Sequence, residues 1–113
     1  MLDDPMPADA AFQIGLETRF GMHGTCQRGD VVLLRNDDDS WGCGEVWLNA
    51  SVYGVPVSII SVWEFVSFDR ERGVAKWKQQ DNAELVDTSM IAAVCIHRRY
   101  ADVCVTLLPA YVR

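Results

Sequence analysis

The sequence has no apolar run of the roughly 18 residues that a membrane span needs. Its longest apolar stretch, Val55 to Val66, is interrupted by Pro56, Ser58, Ser61 and Glu64. It also lacks the basic region and apolar core of a secretory signal, opening instead on the acidic Met1-Leu2-Asp3-Asp4-Pro5. A soluble, intracellular chain is therefore expected, and with it reduced thiols at Cys26, Cys43, Cys95 and Cys104. Positive charge is scarce: 10 Lys and Arg stand against 16 Asp and Glu, for a net charge of −6. Nucleic-acid affinity comes largely from neutralising phosphates, so this balance argues against tight, sequence-independent binding to DNA or RNA. An acidic body favours a basic protein or peptide partner instead.

Motifs for chemistry are missing as well. There is no Gly-x-Ser-x-Gly elbow and no phosphate-binding loop, and Gly42-Cys43-Gly44 lacks the third glycine of a dinucleotide fingerprint. Asp37-Asp38-Asp39 followed by Gly42 imitates the start of a calcium loop, but Leu48 occupies the position where a bidentate Glu is required. His23-x2-Cys26, Cys43 and Cys95-x-His97 supply enough soft ligands for zinc. Only the first pair has the spacing of a structural site, so the cysteines are better read as small buried hydrophobes. A Cys/His dyad such as Cys26 with His97 has no supporting spacing. No cofactor, metal or catalytic residue is expected, and a small Cys-dependent enzyme ranks third among the functional readings.

What is present is β pattern. A chain of 113 residues, half of them hydrophobic, fits one domain with an ordinary core. Residues 1–10, with two prolines and three aspartates, read as a loose leader, and 11–113 as the single domain. Phe12 to Phe20 alternates apolar and polar, a half-buried strand; Phe12, Leu16 and Phe20 would also suit a helix, but Gly15 weakens that reading. Gly21 to Gly29 reads as a loop. Val31 to Arg35 is apolar on both faces, like a central strand, and Asn36-Asp37-Asp38-Asp39-Ser40 has turn chemistry.

Further strands are expected at Glu45 to Tyr53, at Val57 to Phe68 as the longest, and at Val74 to Lys78. Asp69 to Gly73 makes a charged hairpin, and a final pair is expected at Met90 to His97 and Val103 to Leu108. About six to seven short antiparallel strands with regular turns and no helix indicate an all-β barrel or sandwich of the SH3 type.

The aromatic residues are the most informative set, with four tryptophans in a short chain. Trp77 alternates with Lys76 and Lys78 and reads as core. Trp47 shares a face with Glu45, Asn49 and Ser51, opposite the apolar Val46, Leu48, Ala50 and Val52. A tryptophan on a polar face suggests a binding surface. Should the turn at Gly54 bring Trp47 beside Trp63, then Trp41, Trp47, Trp63 and Phe65 would form a ring cluster flanked by Asp39 and Glu45. Rings with nearby carboxylates suit a methylated lysine or an arginine; a second small core is the blander alternative.

Gly29-Asp30-Val31-Val32-Leu33-Leu34, then Gly44-Glu45-Val46-Trp47, then Val62-Trp63-Glu64-Phe65, and Leu85 to Ile91 with Ala93-Val94-Cys95 form a pattern. It resembles bromo-adjacent homology (BAH) domains and, more loosely, Tudor-type barrels, over roughly Gly29 to Val105. The resemblance implies a non-enzymatic interaction module, often a histone-tail reader, and a nuclear location; without it the location expected is cytoplasmic. The alternative is a nucleic-acid-binding accessory domain using Arg98, Arg99, Lys76 and Lys78. Self-association into a homo-oligomer stays open.

Overall fold

A computed structural model describes residues 12–15, 17–20 and 24–109 of the chain; the leader read at residues 1–10 lies outside them. The described residues are all-β with no α-helix, as the alternating patterns require. They do not close into a barrel, and they hold more strands than the sequence suggests. Ten strands form two antiparallel sheets, of six and four, and a further pair forms a separate ribbon.

In the larger sheet, β4 (Val31–Arg35) and β5 (Trp41–Val52) are central. Beyond β4 lies β10 (Ile91–Val94); beyond β5 lie β6 (Val55–Val62) and β9 (Ala83–Asp87), and β1 (Phe12–Gly15) also pairs with β5. The smaller sheet runs β11 (Ile96–Tyr100), β12 (Val103–Leu107), β8 (Val74–Lys78), β7 (Glu64–Asp69). The ribbon pairs β2 (Glu17–Phe20) with β3 (Gly24–Gln27). The segment expected as one strand from Phe12 to Phe20 is thus two, serving different partners. The expected loop at Gly21 to Gly29 contains a strand, and a further strand, β9, lies between the expected strands Val74 to Lys78 and Met90 to His97.

Two further expected strands are each broken by a corner at which the chain leaves one sheet for the other. The long strand from Val57 ends at Val62, and β7 begins in the small sheet after Trp63. The strand from Met90 to His97 is likewise split at Cys95. Both corners are held by the backbone: Trp63 N–H donates to Cys43 O at 2.9 Å, and Cys95 N–H donates to Val31 O at 2.7 Å. Unpaired buried amides are costly, so these bonds let the chain turn inside the core. Alternation continues through each corner in the sequence, which hides the break.

The core has two parts, one on each side of the central strands. Val31, Leu33 and Cys43 pack against Trp63, Ala75, Trp77 and Cys104 between the sheets. Val32, Leu34 and Val46 pack on the other side with Ile60, Val86, Ile91 and Cys26. Being apolar at every position of Val31 to Leu34 is what this double burial demands. Trp77 is core, as expected, and its indole N–H is satisfied by Thr106 Oγ1 at 2.9 Å.

Along β5 the expected strict alternation fails at one residue. Val46 pairs with Ile60 and Leu48 with Ile59, leaving Trp47 as an inserted residue in a β-bulge. Beyond the bulge the faces exchange, so Asn49 turns into the second core instead of toward solvent. There its Nδ2 donates to Cys26 O at 3.1 Å, and Ser58 Oγ donates to its Oδ1 at 2.9 Å. Ser58 in turn meets the Thr88 hydroxyl at 3.2 Å. The buried polar groups are therefore partnered, as stability requires. Tyr53 and Gly54, with φ of 50° and 80°, make the two-residue hairpin to β6; positive φ at both positions matches the right-handed twist of the strands. No helix among the described residues is long and apolar enough to cross a membrane.

Gly44 packs directly against the β6 backbone. A methyl group there would overlap the Ser61 carbonyl oxygen and lie 2.7 Å from Ile60 Cγ2. Gly44→Ala is therefore expected to destabilise the fold by about 1–3 kcal/mol, as overpacking does. A urea denaturation series comparing the two proteins measures this; an unchanged midpoint would mean that the strands part without cost.

Candidate functional site

The rings expected to form one cluster are divided between two pockets; Glu45 lines one of them, and Asp39 lines neither. Corner residue Trp63 is 5% exposed and belongs to the inter-sheet core. Phe65, two residues later, has passed to the edge strand of the other sheet, so the two do not share a strand face.

Trp47 and Trp63 do line one pocket, with Glu45, Ser61, Gln79, Gln80, Asp81 and Arg99. Arg99 fills its charged part. Its guanidinium lies 5.3 Å from the centre of the Trp63 ring, and its Nη1 is 3.2 Å from Glu45 Oε1. A ring face and a carboxylate holding a cation is the arrangement expected for a peptide ligand, but here the cation comes from the chain's own β11. The bulge explains the position of Trp47: as the inserted residue it stands 36% exposed above Glu45 instead of packing. Ser61 accepts no part in the cation's coordination; its hydroxyl donates to the Gln80 carbonyl.

Trp41 and Phe65 line the second pocket, about 290 Å³ in volume, with Leu33, Phe68, Trp77 and Leu108 around it and Ala75 also in the lining. Every lining residue is apolar. Phe65 meets Trp77 edge to face, with centroids 5.5 Å apart and planes at 73°, the geometry that ring quadrupoles favour. Phe65 is nevertheless 55% exposed. Arg35 lies over Trp41 at 5.7 Å, and its Nη2 reaches Asp39 Oδ1 at 3.2 Å. Asp39 is thus engaged by the chain itself, while Asp38 is held ionised below the usual carboxylate range by hydrogen bonds from Ser40. The acidic turn leads directly into Trp41, and Arg35 links Asp39 to that ring.

Of the described residues suggested for zinc or for thiol chemistry, Cys43 and Cys95 meet, and Cys26 stands apart from them. Cys26 lies in the core beyond the central strands, and Cys43, Cys95 and Cys104 lie between the sheets; His23 is outside the described residues. Among the described residues no group of three or more His, Cys, Asp or Glu side chains is placed to hold a metal. The described cysteines are free thiols, all buried. Burial, aided by Asp30, pushes the Cys26 thiol up to about 11. A hydrogen bond to Cys95 and burial push Cys43 up further, while the bond that Cys43 donates works in the opposite direction on Cys95. His97 Nδ1 is 3.3 Å from the Cys95 carbonyl oxygen and on the other side of the large sheet from Cys26. Asn49, which opens the Asn-x-Ser triplet Asn49-Ala50-Ser51, is only 1% exposed.

Sequence reasoning passed over Phe68, which completes the apolar pocket, and it grouped Arg99 with Arg98. Strand alternation carried the signal for the second: in β11, Ile96, Arg98 and Tyr100 face one way and His97 and Arg99 the other. No family model, curated protein or solved structure matches the chain.

Removing Arg99 should empty the polar pocket without disturbing the core. Arg99→Ala is expected to lower stability by about 1 kcal/mol, the order of an exposed cation–π contact plus a part-exposed ion pair. Added methylguanidinium should then raise the thermal midpoint of the variant and leave the parent unchanged. Equal response of both proteins would show that the pocket does not select a guanidinium.

Proposed function

We propose that this domain is a non-enzymatic binding module that takes a large apolar side chain of a partner peptide into the Trp41–Phe65 pocket. The observation that supports it is the pocket itself: about 290 Å³, lined only by apolar side chains and open to solvent. An uncovered apolar pocket of this size beside exposed Phe65, Val66 and Phe68 is the kind of surface that marks an interaction site. It lies at β7, an edge strand whose six residues are all exposed. An extended peptide can add to such an edge through its backbone while a side chain enters the neighbouring pocket.

The acidic turn of Asp37, Asp38 and Asp39 beside Trp41 favours Lys or Arg next to the inserted side chain. The ligand class is thus a basic peptide with an apolar anchor, and a methylated lysine is a member of that class because aromatic faces attract it. This reading keeps Trp41, Phe65 and Asp39 of the expected site and moves the centre of recognition away from Trp47, Trp63 and Glu45, whose cation seat Arg99 occupies; Arg35 likewise holds the cation position at Trp41 and Asp39, so the apolar anchor in the pocket carries the recognition. The resemblance to BAH and Tudor-type domains accords with a binding module.

A peptide array is the direct test, pairing Leu, Phe, Trp or trimethyl-lysine anchors with basic or acidic flanks. Basic-flanked apolar anchors are expected to bind, and Phe65→Ala to weaken them tenfold or more. Because Phe65 is more than half exposed, the same change should cost less than about 1.5 kcal/mol in stability. Retained binding in Phe65→Ala, or preference for acidic flanks, would overturn the proposal.

A further inference from the structure

The opposite side of the small sheet carries charge of the other sign. Strand register lays its outward residues in a grid of three rows across β8, β12 and β11: Val74, Leu107, Ile96; then Lys76, Val105, Arg98; then Lys78, Val103, Tyr100. Their inward neighbours Ala75, Trp77, Cys104 and Thr106 are buried in the core, which fixes the direction of the grid. Down its middle runs an aliphatic column, Val103, Val105 and Leu107. Lys76 and Arg98 stand on either side of that column, about 10 Å apart from the spacing of strands.

Ile96 is 74%, Tyr100 54% and Leu107 42% exposed, and Val103 and Val105 are half-buried, so the apolar part of this face is open to solvent. Arg98 lies over the Tyr100 ring at 5.8 Å, and none of Lys76, Lys78 and Arg98 is ion-paired among the described residues. The carboxylates on this side, Glu64 and Asp69, sit on the border strand β7, and Asp69 is engaged by Arg72. Asp102 stands in the turn at the far end of the grid.

We infer that this face is a second docking surface, whose occupant is an acidic, amphipathic segment of a partner protein. Apolar side chains of the segment lie on the Val103–Val105–Leu107 column, and carboxylates on both flanks meet Lys76, Lys78 and Arg98. Charge complementarity selects this occupant over the alternatives. A second copy related by a two-fold axis along the column would set Lys76 of one copy against Arg98 of the other, cation against cation. Single-stranded nucleic acid needs ring faces under its bases, and the centre of this grid is aliphatic, with one ring at a corner. The surface lies across the sheet from the Trp41–Phe65 pocket and stands independently of it.

The test is fluorescence anisotropy with three labelled probes on the full chain: a fourteen-residue amphipathic peptide with a Leu stripe at helical spacing bordered on both sides by Glu, the same peptide with Lys for Glu, and oligothymidylate. The Glu peptide is expected to bind and to weaken as salt screens the pairing. Lys76→Glu with Arg98→Glu should reduce its affinity at least tenfold, and Lys76→Gln with Arg98→Gln should reduce it less, both with an unchanged thermal midpoint. Trp41→Ala should leave it unaltered, which separates this surface from the pocket. No binding of the Glu peptide, equal binding of the Lys peptide, or indifference to charge reversal would overturn the inference. Binding of oligothymidylate in preference, or a dimer in sedimentation that Arg98→Glu dissociates, would assign the face to a nucleic acid or to a second copy and overturn it equally.

Discussion

Everything in this fold depends on two backbone hydrogen bonds made at corners. Where Trp63 and Cys95 take the chain out of the large sheet, their amides are buried, and each needs an acceptor. Cys43 and Val31 supply the acceptors from the two central strands. The pairing is reciprocal in its consequences. The corners put Trp63 and Cys95 between the sheets, where they pack against the side chains of Val31 and Cys43 themselves. The small sheet is consequently fastened to the large one by covalent crossings at the centre of the core, and its two edges are left at the periphery.

Charge follows from this placement. Because β7 and β11 are the outer strands of the small sheet, side chains that the core does not need collect on them. β11 presents Arg99 inward to the seat formed by Glu45 and Trp63, and Arg98 outward to the grid with Lys76. One strand of five residues thereby serves a structural ion pair and a free basic face, its alternation deciding which arginine does which. The pocket at Trp41 and Phe65 arises at the other outer strand, where Leu33 and Trp41 of the large sheet face Phe65, Phe68 and Trp77 of the small one without filling the space between them.

How much of this was readable beforehand depends on whether a feature is local. The β content, the buried central strand at Val31 to Leu34, the turn at Asn36 to Ser40, the charged hairpin at Asp69 to Gly73 and the core position of Trp77 all follow from period and turn chemistry. The corners do not, since Val62-Trp63-Glu64 and Val94-Cys95-Ile96 carry no glycine or proline and keep apolar residues flowing. The bulge is equally silent: nothing in Val46-Trp47-Leu48 distinguishes an inserted residue from a paired one, and a single insertion was enough to move Asn49 from solvent to core. The site suffered most, because it was inferred from which faces Trp47, Trp63 and Phe65 share, and that is what the bulge and the corner at Trp63 alter.

Another bulge, in β7, bears on how tightly any strand could hold this domain. Phe65 pairs with Trp77 and Ser67 with Lys76, so Val66 is extra and the edge is kinked at its middle. A kinked edge offers no long, straight template, and this protects the exposed Phe65, Val66 and Phe68 from zipping with like edges into fibrils. The same kink limits an arriving strand to a short ladder on either side. Recognition at this edge is thereby shifted from backbone, which reads no sequence, to the side chain that fills the pocket, which does.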